Sequence, residues 1–98
     1  MTDNASGSVT VRHAADQHRY EAVIDDHVVG FAEYQPMPDG VVMHHTHTDP
    51  AFRGHGIAAV LVAGALDDLR DQGLHVVPSC WYVAEYIEIH PEYRDLVV

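Results

Sequence analysis

The architecture of this chain turns on Arg53-Gly54-His55-Gly56-Ile57-Ala58. Two glycines so close together let the backbone turn sharply and come near a ligand. Downstream, Ala58, Leu61, Val62, Ala65, Leu66 and Leu69 recur at helical spacing, which predicts a helix over 55–72 that stops at Gly73. Upstream, Val41 to Thr48 reads as a strand. A helix leaving such a turn points its free N–H groups and positive dipole end into it, which makes an anion site suited to phosphate or pyrophosphate. Arg53 adds a fixed positive charge. The plainer alternative is a tight strand-to-helix turn whose glycines serve packing only.

Working outward, Leu74 to Val77 is a short apolar strand ended by Pro78, and Trp81 to His90 is expected to form a second helix, ended by Pro91. Strand 41–48, helix 55–72 and strand 74–78 make a βαβ unit, so the two strands are expected to be parallel and adjacent. Toward the N-terminus come three short alternating runs. Val9 and Val11 alternate with polar neighbours; so do Tyr20, Ala22 and Ile24; Val28 to Tyr34 follows. Asp25-Asp26-His27 and Pro36-Met37-Pro38-Asp39-Gly40 read as the turns of an antiparallel meander. The expected class is α/β with a mixed, α+β sheet: a meander, one parallel step and two flanking helices. Residues 1–8, small and polar, are expected to be a disordered tail, with a single domain over 9–98.

Five basic residues, all arginine, stand against 15 acidic ones, for a formal charge of −10 in 98 residues. Nucleic acid and anionic membrane are therefore poor partners. The acidity favours a cationic partner, or serves only solubility. Protonating all nine histidines would cancel all but one of the ten formal negative charges. The single cysteine, Cys80, allows no internal disulfide and suits a reducing compartment. With no signal-peptide pattern and no long apolar run, a cytoplasmic protein is expected, as monomer or homodimer.

Gly54-His55-Gly56-Ile57-Ala58-Ala59 fits the loose dinucleotide pattern G-x-G-x-x-G/A. That reading fails because the next strand ends in Val77-Pro78-Ser79-Cys80, without the required acidic residue, and the chain is too short for a doubly wound sheet. A second pattern, Q/R-x-x-G-x-G/A, is filled by Arg53, Gly56 and Ala58. Through it the chain resembles the GNAT superfamily of N-acetyltransferases, in which such a loop cradles the pyrophosphate of acetyl-CoA. The ordered set His45-Thr46, Arg53 to Ala58, Val77-Pro78-Ser79-Cys80 and His90-Pro91-Glu92-Tyr93-Arg94-Asp95-Leu96 is similar to the small single-domain branch of that family, over roughly residues 9–97.

The resemblance implies acetyl-CoA as donor, with no metal, and transfer to an amine, such as an exposed peptide or protein amine or a polyamine. Backbone groups of Gly54, His55, Gly56, Ile57 and Ala58, with Arg53, would hold the pyrophosphate. His47 and Thr48 would sit at the edge of a V-shaped cleft between the fourth and fifth strands. Alternation puts His45 and His47 on one strand face with Val41 and Met43, and His44 on the other. His47 stands where the branch often carries glutamate, and an imidazole titrating near neutral pH suits a general base; a partly solvated strand residue is the alternative. His45 is either a second base or structural. Tyr86, in the helix after the fifth strand, would protonate the leaving thiolate, and Tyr82 would wall the cleft; the family's asparagine at that helix start is replaced by Ser79 and Cys80. Cys80 is an acetyl-accepting nucleophile or a small buried residue. Helices that build the acceptor site in larger members are missing, so the acceptor site must be open or completed by a partner chain. A non-catalytic acyl-CoA-binding module and a small acidic interaction protein are the readings from other classes.

Overall fold

Tyr20, Ala22, Ala32, Tyr34, Val41 and Met43 fall at alternate positions along their strands, and together they form one buried stripe across three strands. The computed structural model describes residues 9–98; the tail expected over 1–8 lies outside the described residues. The strands are β1 (Thr10–Ala14), β2 (Arg19–Ile24), β3 (His27–Met37), β4 (Gly40–Thr48) and β5 (His75–Pro78), and the helices are α1 (Ile57–Asp71) and α2 (Trp81–Ile89). Short 3-10 segments lie at Ala15–Gln17, Pro50–Phe52 and Pro91–Leu96. Strand order equals chain order, with β1 to β4 antiparallel and β5 parallel to β4. This is the mixed sheet expected from the periodicity.

Leu61, Val62, Ala65, Leu66 and Leu69, the apolar stripe of α1, are buried against the sheet. Each buried leucine contributes on the order of 1.5–3 kcal/mol of transfer energy. Val83 and Ile87 of α2, then Tyr93 and Leu96, close the same core, so both helices cover one face of the sheet. Polar residues of α1 that lie off this stripe are anchors. Tyr20 donates to Asp68 (2.6 Å), Tyr93 donates to Asp67 (2.7 Å), and Arg70 grips Asp95 through two N–H groups (2.8 and 2.9 Å). Burial pushes the Tyr93 phenol up to about 12, and its bond to Asp67 adds to the shift. The segment 91–96 is thereby fastened along α1, and Val97 bridges to Val76 beyond it.

Two local expectations need correction. β3 runs through Pro36 to Met37, leaving only Pro38-Asp39 as the turn. The last β2–β3 pair is Arg19–Glu33, so past that point β3 has no β2 neighbour to miss the N–H that Pro36 lacks. The second correction matters for the site. Glu33 pairs with His45, whereas the next residue, Tyr34, pairs with Met43, which leaves His44 as a bulge. One extra residue inverts the alternation beyond it. His45 and His47 therefore do not share a face with Val41 and Met43; they lie opposite Glu33 and Phe31, on the face away from the helices. Thr46 and Thr48 take the helix-side face, opposite Ala32 and Gly30.

Candidate functional site

β4 and β5 pair from Gly40–His75 to Met43–Pro78 and no further. Beyond that point α2 departs and β4 continues alone to Thr48, so the sheet splits along the last five residues of β4. The backbone N–H of Cys80 donates to the Met43 carbonyl (2.9 Å), pinning the apex of the split. The cleft inferred from family resemblance thus has a physical counterpart. Its free strand edge can pair with an amide-containing chain, as an added strand does.

At the mouth of the split, Asp49 accepts a hydrogen bond from Ala51 N–H (2.9 Å) and starts the 3-10 turn that delivers Arg53 to the loop. Gly54 and Gly56 have φ of +87° and +74°, a region that L side chains rarely adopt. A Cβ built on either would meet nothing within 4 Å. The glycines are required by the turn itself, and the space above them is open; packing does not explain them. Gly56 caps α1 without any side-chain acceptor, and the first bond of the helix runs from Val60 N–H to Gly56 O (3.2 Å). The N–H groups of Ile57, Ala58 and Ala59 precede it and are free to meet a ligand.

A cavity of about 260 Å³ opens there. Of the residues expected to bind a cofactor, Thr48, Arg53, Gly54, Gly56, Ile57, Ala58 and Tyr82 line it. His55 does not line it. Phe52 and Ala59 complete the wall; neither carried a polar signal that sequence reasoning could use. Among the described residues no carboxylate pairs with Arg53. Free helix N–H groups, an unpaired guanidinium and glycines with open space above them fit a pyrophosphate.

The two tyrosines of α2 separate. Tyr82 lines the cavity, and burial, with the nearby Glu85 carboxylate, raises its phenol above the ordinary value. Tyr86 lies one turn further on, stacked on His90 with ring centroids 4.0 Å apart, and does not reach the cavity. Cys80 caps α2 from a buried position, its sulfur 3.6 Å from the Thr46 hydroxyl on the helix-side face. On the opposite face His45 and His47 flank Phe31, at 6.0 and 5.2 Å between ring centroids, with the Arg19 guanidinium 4.7 Å over the same ring. Phe31 was not anticipated; its register opposite His47 is a tertiary fact with no local mark. Glu21, buried between Arg12 and Arg19, accepts from both at 2.8 Å. Burial pushes its carboxyl up, but the two arginine bonds outweigh this and hold it below its ordinary range. Among the described residues no group of three His, Cys, Asp or Glu could hold a metal ion.

A split mixed sheet with a glycine turn at the head of its crossover helix is the arrangement of a GNAT-like fold. The sequence pattern of the GCN5-related N-acetyl-transferase family matches residues 19–96, and the chain belongs to that family. It is similar to Protein NATD1 of Xenopus tropicalis, 30% identical over 89 residues, covering 88% of this chain and 81% of that protein. The mouse Protein NATD1 is 28% identical over 87 residues, covering 87% and 79%. The human Protein NATD1 is 37% identical over 51 residues, covering 52% of this chain and 45% of its own length.

Proposed function

We propose that the chain is an acetyl-CoA-dependent N-acetyltransferase, with the cofactor entering from the helix side of the split sheet and the amine from the histidine side. The observation that carries this reading is the uncapped start of α1 beside the split: free N–H groups, open glycines and Arg53 in an otherwise acidic chain. Bound acetyl-CoA supplies an activated thioester, whose carbonyl carbon forms a C–N bond with the amine as its C–S bond breaks. The loop and Arg53 hold the pyrophosphate, and the free edge of β4 aligns the amide-bearing arm. Tyr82, its phenol kept protonated by burial and by Glu85, donates its hydroxyl proton to the departing sulfur. Imidazole nitrogen of His45 or His47 accepts the proton that the amine loses on the other face. Cys80 and Thr46 shape the apex between them.

Release of free CoA from acetyl-CoA with a panel of peptide amines and polyamines tests the reading. Amine-dependent release that Tyr82→Phe cuts strongly supports it. Tight acetyl-CoA binding with no release from any amine would instead identify a non-catalytic binding module.

A further inference from the structure

α2 has a second, outward face, of which the site above uses only the Glu85 charge. Trp81, Glu85, Glu88 and Ile89 fall at i, i+4, i+7 and i+8, one stripe of the helix. Trp81 is 74% and Ile89 65% exposed, uncommon values for such large apolar side chains on one short helix. Beside the stripe lies a groove of about 550 Å³ lined by Pro78, Ala84, Ile87 and Val97, with Glu85, Glu88 and Arg94 as its charged residues. Among the described residues neither glutamate nor Arg94 has an ion-pair partner. Pro78 is the last paired residue of β5, so the groove begins beside the split in the sheet.

We infer that this groove docks a basic, amphipathic peptide segment and, resting on the transferase reading, that the segment belongs to the acceptor. Apolar residues of the segment would cover Trp81 and fill the groove, while its lysines or arginines meet Glu85 and Glu88; Arg94 receives a backbone carbonyl or a lone acidic residue and so sets direction. Charge complementarity selects this occupant. A second copy would bring another chain of formal charge −10 against the same carboxylates, and an anionic lipid surface would be repelled by them.

Trp81 is the chain's single tryptophan and lies on the stripe beside the groove, so its fluorescence reports a segment that covers this face. The probe is a Leu/Lys peptide of roughly 12 residues with helical spacing, long enough to run the length of α2. A saturable blue shift is expected, weakened roughly 2- to 30-fold in Glu85→Gln/Glu88→Gln, whose exposed sites leave thermal stability intact. Equal binding by the double variant, by a Glu/Leu peptide or by anionic vesicles overturns the inference, as does a blue shift that grows with protein concentration alone, the mark of self-association. The readout needs no acetyl transfer. A protein that binds acetyl-CoA while Trp81 stays silent to the peptide overturns the docking alone; a Trp81 response without CoA release from any amine counts against the transferase reading alone.

Discussion

Gly56→Ala and Gly73→Ala form a matched pair at the two ends of α1. Both glycines have left-handed backbone, φ +74° and +71°, and at neither would a Cβ meet any atom within 4 Å. The cost to the fold is therefore backbone strain alone, about 1–2 kcal/mol in each variant. For a domain of this size that lowers the melting temperature by about 4–16 °C. The two variants should melt alike. On the proposed function they should not bind alike, because the space above Gly56 is where a pyrophosphate would meet the free N–H groups of Ile57, Ala58 and Ala59, whereas Gly73 faces solvent. Losing one hydrogen bond to a charged group costs about 1.5–3 kcal/mol, or roughly 10- to 150-fold in Kd. Calorimetric titration with acetyl-CoA at a temperature where both variants are folded reads the difference. Wild-type affinity in Gly56→Ala, or equal weakening in both, would refute the assignment of the loop.

Three further outcomes are expected. Cys80→Ala, which deletes a small buried side chain, should cost about 1 kcal/mol and leave transfer within several-fold of the wild type, with no acetyl adduct by intact mass; a stoichiometric adduct chased by amine would establish a covalent route instead. Because Glu21 is held below its ordinary range in the fold, the unfolded chain binds that proton more readily, so its contribution is present above about pH 4.3 and lost as pH falls further. Glu21→Gln should therefore flatten the acid side of the stability–pH curve, and an unchanged slope would remove the Arg12–Glu21–Arg19 cluster as its cause. Tyr93→Phe removes the bond to Asp67 and should destabilise by about 1 kcal/mol in thermal melts; no change would mean that Arg70 and the apolar contacts alone hold residues 91–96 to α1.

What was legible in the sequence follows from where the constraint is local. The loop could be read because Gly54 and Gly56 answer to backbone φ, and α1 because its buried stripe repeats over four turns. The parallel step follows from a helix lying between two apolar strands. The faces of β4 could not be read past Met43, because the bulge at His44 is set by pairing with β3 and leaves no mark in composition. That single inserted residue moves both candidate bases across the sheet from the cofactor loop. Tyr82 and Tyr86 are likewise one turn apart on the same helix, and only tertiary placement separates them: Tyr82 lines the cavity with Ala58 and Ala59, whereas Tyr86 lies against His90 and Tyr93.

Amide shifts during titration of isotope-labelled protein with acetyl-CoA test the cofactor site most directly. Changes should concentrate at Gly54, Gly56, Ile57, Ala58 and Ala59, continue along 44–48 of β4, and include Tyr82, while Gly73 and the 25–26 turn stay still. An unmoved spectrum up to millimolar acetyl-CoA, or shifts gathered away from the head of α1, would contradict the reading of this domain as an acetyl-CoA enzyme.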